Sequence, residues 1–148
     1  MPQVARTLEI AAPPSAVWVW FTTPENLRRW LAPDLDIDLR EGGAYRLLGP
    51  DERTWISGTV LELVPEGRLV LSWLEEDAGW LHPGRLVIEL TAVRAGTLVT
   101  LVHDGFAGIG KLGWQGVMEA YERGGDKHRV LQRLAAVAMS VGPAVEVR

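Results

Sequence analysis

Alternating polar and apolar residues recur between residues 5 and 103 and predict a series of β-strands. The first strand covers residues 5–10. Two short helices are predicted to follow it, because Ser15 can cap the first, and Thr23 followed by Pro24 can begin the second.

Residues 35–103 predict one antiparallel meander, with turn residues such as Gly42-Gly43 between the strands. On the strand at residues 55–64, Glu62 should meet solvent, and period-two alternation then assigns five other residues to the concave face. These residues are Trp55, Ser57, Thr59, Leu61 and Leu63. The inward residues of the later strands are expected to be Leu69, Leu71 and Trp73; Leu86, Ile88 and Leu90; and Thr97, Val99, Leu101 and His103. The acidic run at residues 75–77 is interpreted as an exposed loop.

The last part of the chain predicts a long helix with one apolar face. The apolar stripe consists of Trp114, Val117, Met118, Tyr121, His128, Leu131, Leu134 and Val137. Gly124-Gly125 interrupts it and favours a kink there. The predicted fold class is therefore α+β, with a curved antiparallel sheet wrapped around a long C-terminal helix. We expect residues 1–148 to form one domain of ordinary size.

Composition and charge exclude several classes of protein. The chain has no cysteine, which excludes disulfides and thiolate metal sites. Its net charge of -4 argues against nucleic-acid binding, which requires a basic surface. The N-terminus has no apolar core of signal-peptide length, and no apolar run is long enough for a membrane span. We therefore expect a cytoplasmic protein. The apolar pair Leu98 and Val102, predicted on the outer face, leaves a homodimer open.

The motifs resemble, in order and spacing, the helix-grip superfamily of START-like domains. Within it, the chain is similar to homologues of the heat-shock-chaperone ATPase activator. The residues that carry the likeness are 10–13 with Val17-Trp18, Pro24-Glu25 with Trp30, 42–46, 58–65, 68–73 and 96–106. The family often has paired tryptophans where this chain has Trp30-Leu31, and Gly-Trp where it has Gly125-Asp126. Loss of that second tryptophan could enlarge the groove under the helix.

The resemblance implies a cavity between sheet and helix, used in the superfamily for lipids, polyketides and other apolar molecules. The residues expected to contact such a ligand are Trp55, Leu71, Trp73, Leu101, His103, Phe106, Met118 and Tyr121. The large side chains among them could equally be cavity walls or plugs that fill it. Binding, transport or sensing of a small apolar molecule is the first hypothesis for function.

Two further hypotheses remain open. The first is a cyclase or hydrolase acting on a polyketide-like substrate, with His103 as a general base beside Asp104 or Tyr121. Because adjacent strand residues point to opposite faces, Asp104 should not orient His103 easily. The second is a co-chaperone that contacts a heat-shock chaperone, as the resemblance implies.

We expect no cofactor and no metal ion. Asp34, Asp36 and Asp38 alternate with apolar residues, and the sixth position of a calcium loop would be Leu39 instead of glycine. The three histidines lack a zinc-binding spacing, and no phosphate-binding loop or nucleophile elbow is present.

Overall fold

A computed structural model describes residues 2–140, except for the side chains of residues 125–127. Seven strands form one antiparallel sheet in the order β1-β7-β6-β5-β4-β3-β2. The strands are β1 (Gln3–Ile10), β2 (Leu35–Ile37), β3 (Ala44–Leu48), β4 (Trp55–Val64), β5 (Arg68–Glu75), β6 (Gly84–Val93) and β7 (Gly96–Asp104). The curved sheet and the helices packed on it confirm the predicted α+β helix-grip fold.

The concave face of β5, β6 and β7 carries the residues that the alternation predicts. The inward residues of β5 and β6 are buried, and so are Thr97, Val99 and Leu101 of β7. The register aligns Leu71 with Leu86 and Leu86 with His103, so these residues form a row across the sheet. Leu98 and Val102 lie half-buried on the other face, where a covering partner stays a prediction.

The predicted inward face of β4 is wrong over the first part of the strand. Ile56 and Val60 are buried, whereas Leu61 is 46% exposed. Trp55 lies on the outer face, 4.1 Å from the guanidinium of Arg46. The cause is a β-bulge between Val60 and Glu62, where one extra residue inverts the alternation. Glu62 therefore faces outwards as expected, but every position before the bulge is shifted by one.

Two short helices follow β1, as predicted, and a 3-10 turn lies between them. They are α1 (Pro14–Trp18), the 3-10 turn (Val19–Phe21) and α2 (Pro24–Arg28). Thr23 caps α2 by accepting a hydrogen bond from the Asn26 amide at 3.1 Å. The predicted cap of α1 is wrong: Pro13 occupies the cap position and Ser15 lies inside the helix. Pro14 occupies the first helical position, where its missing N–H leaves no amide unpaired.

The C-terminal helix is divided in two. α3 covers Trp114–His128 and α4 covers Val130–Met139. The division lies at Arg129, which has left-handed backbone angles, and not at the predicted Gly124-Gly125 pair. A left-handed residue ends the hydrogen-bonding of a helix and turns the chain, which a glycine inside a helix does not have to do. Among residues 2–140, no helix is long and apolar enough to cross a membrane.

Candidate functional site: a cavity between sheet and helices

A cavity of about 1190 Å³ lies between the concave face of the sheet and the two C-terminal helices. Its apolar walls include Trp30, Leu47, Ile56, Leu86 and Leu101. The exposed residues Pro50, Asp51 and Glu52 line another part, so the cavity reaches solvent beside the loop between β3 and β4.

One corner of the cavity is polar and aromatic. We call it the Glu75 corner, and it consists of Trp73, Glu75, His103 and Tyr121, all of which line the cavity. The indole N–H of Trp73 donates to the Tyr121 hydroxyl at 2.8 Å. That hydroxyl donates in turn to Oε2 of Glu75 at 2.6 Å. The two hydrogen bonds connect β5 to α3 and hold the carboxylate at the cavity surface.

The phenol of Tyr121 stays protonated at neutral pH. Burial raises its pKa above the ordinary value, and the negative charge of Glu75 raises it further. Burial likewise raises the pKa of Tyr45, whose hydroxyl donates to the carbonyl of Ser72 at 2.5 Å. Tyr121 therefore acts as a hydrogen-bond donor and adds no charge to the corner.

His103 lies against two of the rings of the corner. Its ring is 4.8 Å from that of Trp73 and 5.0 Å from that of Tyr121, both edge-on. Burial lowers the pKa of His103 to about 4, while the nearby Asp104 has a smaller, opposite effect. The imidazole is therefore neutral at pH 7.

Asp104 does not orient His103. Its carboxylate accepts two hydrogen bonds from Arg85, from Nε at 3.0 Å and from a terminal nitrogen at 2.7 Å. Arg85 and Asp104 are paired on neighbouring strands, on the face opposite to His103. The structure thus contradicts the hypothesis of a His103–Asp104 pair and agrees with the alternation argument against it.

The residues expected to contact a ligand lie in three different places: the cavity lining, the core and the outer face of the sheet. Four line the cavity: Trp73, Leu101, His103 and Tyr121. Leu71 and Phe106 are buried in the core, and Met118 is partly buried against it, so none of these three belongs to the cavity surface. Trp55 lies on the outer face of the sheet because of the β4 bulge, and its expected role in the cavity is wrong.

Glu75 is the main residue of the corner that the sequence interpretation missed. The sequence predicts an exposed loop at residues 75–77, but Glu75 ends β5 and faces the cavity, opposite Ile56. The signal was present in the alternation, because Leu69, Leu71 and Trp73 continue to residue 75 on the same face. The other two residues of the acidic run, Glu76 and Asp77, do not line the cavity.

The comparisons with known proteins identify the family. Residues 11–123 match the model of the family described as activator of Hsp90 ATPase homolog 1-like protein. The chain belongs to this family. None of the curated proteins matches the chain.

Several solved structures share the fold. The chain is 25% identical to CalU16 from Micromonospora echinospora, with a TM-score of 0.68, over 98% of this chain and 71% of that one. It is 19% identical to DynU16, a putative protein in the dynemicin biosynthetic locus, with a TM-score of 0.72, over 99% of this chain and 48% of that one. It is 15% identical to the Aha1 dimer from Colwellia psychrerythraea, with a TM-score of 0.72, over 96% and 100% of the chains.

One departure from the family pattern, Leu31, lies at the cavity. The indole of Trp30, which lines the cavity, donates to the carbonyl of Trp20 at 2.8 Å. Leu31, which stands where the family often has a second tryptophan, also lines the cavity. The side chain of Asp126, the other departure, lies outside the described residues.

Proposed function

We propose that this protein binds a small, mainly apolar molecule in the cavity between its sheet and its C-terminal helices. The observation that carries the proposal is the cavity of about 1190 Å³. Because the cavity reaches solvent, it is filled by water or by a ligand, and its aliphatic and aromatic walls favour a ligand.

Two of the side chains that could have plugged the cavity, Trp73 and Tyr121, form part of its wall. The hydrogen bond between Trp73 and Tyr121 keeps both rings at the wall of the cavity, with ring centroids 6.4 Å apart. Volume thus remains in front of them. DynU16, which belongs to a biosynthetic locus, supports a small molecule as the occupant.

The test is binding of the uncharged fluorescent probe N-phenyl-1-naphthylamine, whose emission rises in apolar surroundings. We expect saturable binding to the wild-type protein. Leu101→Trp should weaken it at least tenfold, because the larger side chain enters the cavity from the concave face of β7.

The matched control is Thr100→Trp, which adds the same side chain one residue earlier, on the outer face of the same strand. It should leave probe binding unchanged. Circular dichroism establishes that both variants fold. Equal probe affinity in Leu101→Trp and the wild type, or no saturable binding at all, would contradict the proposal.

A catalytic role for His103 has less support. Proton transfer is most efficient when the pKa of the base lies near the working pH. The pKa of His103 is about 4, so its imidazole is a weak base at pH 7. A polyketide-like molecule would fit the binding proposal, but the geometry favours no reaction on it.

Membership of the family supports a second candidate, a protein that acts on a chaperone ATPase. Its test is the ATPase rate of the Hsp90-type chaperone from the same organism, measured with increasing amounts of this protein. An unchanged rate at saturation removes this candidate and leaves the binding proposal untouched.

A further inference from the structure

We propose that Glu75 selects ligands that carry a cationic ammonium group, which binds in the Glu75 corner while the apolar part of the ligand extends along the cavity. The proposal rests on the proposed function and names the ligand class that the same cavity prefers. The proposal is carried by the position of Glu75, whose carboxylate can accept further hydrogen bonds and lies among the aromatic rings of the Glu75 corner.

The carboxylate of Glu75 is incompletely satisfied. Its two oxygens can accept about four hydrogen bonds. The side chain receives one, from the Tyr121 hydroxyl, and no other hydrogen bond or ion pair reaches it from the part of the chain that the structure describes. A carboxylate in an apolar cavity gains most from a partner that both donates and carries positive charge.

Two nearby acidic side chains, Glu76 and Asp104, differ from Glu75 because an arginine already pairs with each of them. Glu76 receives two hydrogen bonds from Arg46, both at 2.9 Å. Asp104 is bound in the same two-fold way by Arg85. Glu75 faces the cavity, and each of these neighbours is already paired with an arginine.

Five arginines line the cavity, and four of them have partners other than Glu75. Arg29 lies over the ring of Trp20, 5.6 Å from its centroid. Arg6 binds the carboxylate of Glu122 at 2.6 Å. Arg28 donates to the carbonyl of Leu35 at 2.7 Å. Arg133 donates to the carbonyl of Trp30 at 3.0 Å, and also to that of His128. None of these contacts is with Glu75, and no ion pair joins Glu75 to Arg129 in the part of the chain that the structure describes, so a ligand cation would meet an uncompensated charge.

The aromatic rings of the corner add to the preference for a cation. The faces of Trp and Tyr rings attract ammonium groups through their quadrupoles. Tyr121 donates a hydrogen bond to the carboxylate, and Trp73 donates one to Tyr121, so both rings belong to the same corner. His103 is neutral at pH 7 and does not repel a cation. An anionic ligand would instead face the charge of Glu75 at close range.

The experiment compares three ligands with the same ten-carbon chain: decylamine, decanol and decanoate. Each displaces N-phenyl-1-naphthylamine from the protein at pH 7, below the concentration at which it forms micelles. We expect decylamine, which is protonated at this pH, to bind at least tenfold more tightly than decanoate, with decanol between them. In Glu75→Gln the ratio should fall close to one, while affinity for the uncharged probe should stay within twofold.

Glu76→Gln is the matched control, because it removes the same charge one residue further, outside the cavity lining. It should keep the wild-type preference for decylamine. A wild-type protein without that preference, a Glu75→Gln variant that retains it, or an equal loss in both variants would overturn the proposal. The wild-type comparison decides the matter even if Glu75→Gln does not fold. Saturable probe binding without head-group preference overturns only this inference, whereas absent probe binding overturns the proposed function as well.

Discussion

The space between the sheet and the C-terminal helices has a filled half and a hollow half. α4 packs on β1, α1 and the 3-10 turn, and it buries Leu131 and Leu134. α3 packs on β1 and on the turn at Phe106–Gly108, and its apolar residues are only partly buried. The same sheet thus carries a solid core at Leu134 of α4, and a cavity between α3 and the first turn of α4.

Side-chain size explains much of the difference. α3 presents Ala120 and Gly124 to the cavity, and neither can reach across it. On the filled side, Phe21 stacks on Trp18 with ring centroids 4.7 Å apart, and it meets Trp30, which also forms part of the cavity wall, at 5.0 Å. Large rings therefore complete the packing on one side, whereas small residues and a hydrogen-bonded tyrosine keep the other side open.

The largest expected effect distinguishes the two halves by stability. Leu134→Ala removes a fully buried side chain under α4 and should lower the free energy of unfolding by about 4 kcal/mol. Met118→Ala removes a side chain of similar volume from α3, where it is only partly buried, and should cost about 1 kcal/mol. Urea denaturation of both variants measures the two values. Equal losses would show that the halves are packed alike.

Low pH should destabilise the protein, because it protonates His103 at the cavity. The pKa of His103 is about 4 in the folded protein and about 6.5 in the unfolded chain, so the unfolded chain binds the proton first. The contribution of the neutral imidazole to stability is complete above pH 6.5. It falls by about 3 kcal/mol as the pH drops to 4, since each pKa unit corresponds to about 1.4 kcal/mol.

The measurement is the free energy of unfolding from pH 7.5 to pH 4, for the wild type and for His103→Gln. Glutamine does not titrate, so the variant should lose about 3 kcal/mol less than the wild type over this range. Parallel curves for the two proteins would show that His103 is not the group responsible.

The smallest effect concerns Gly124, the glycine of α3 that lines the cavity. A Cβ at Gly124 would lie 3.6 Å from the imidazole Cδ2 of His128, an ordinary contact. Gly124→Ala should therefore stabilise the protein by about 0.5–1 kcal/mol through helix propensity, and should narrow the cavity by one methyl group. Thermal unfolding and the affinity for N-phenyl-1-naphthylamine measure the two effects.

Gly116→Ala provides the comparison within the same helix. A Cβ there meets no atom within 4 Å, and Gly116 does not line the cavity. It should stabilise α3 without changing probe affinity. A change in probe affinity as large as that of Gly124→Ala would mean that the effect comes from helix stability and not from the cavity.

Most of the sheet could be predicted from the alternation of side chains. The inward sets of β5, β6 and β7 follow from it, because one face of these strands is buried throughout and a period of two has no ambiguity there. The bulge in β4 could not be predicted in the same way. An extra residue changes the phase of the alternation without changing the composition, so Trp55 was assigned to the wrong face.

The helix break shows a similar limit. Glycines lower helix propensity, which made residues 124 and 125 the expected place for a kink. The chain instead turns at Arg129, an ordinary helix former by propensity, where α4 has to pack on β1 and α1. Tertiary contacts override intrinsic preferences of about 1 kcal/mol.

By itself the sequence determined the α+β class, the capped second helix and the inward-facing residues of three strands, because local periodicity and capping depend on neighbours along the chain. The resemblance to a known family added the helix-grip fold. Only the tertiary structure decided where the cavity lies and which carboxylate faces it. Glu75 and Glu76 are adjacent in sequence, yet one receives a single hydrogen bond from Tyr121 and the other two from Arg46. The partners of a side chain come from distant parts of the chain, and their distances follow only from the packing of the whole fold.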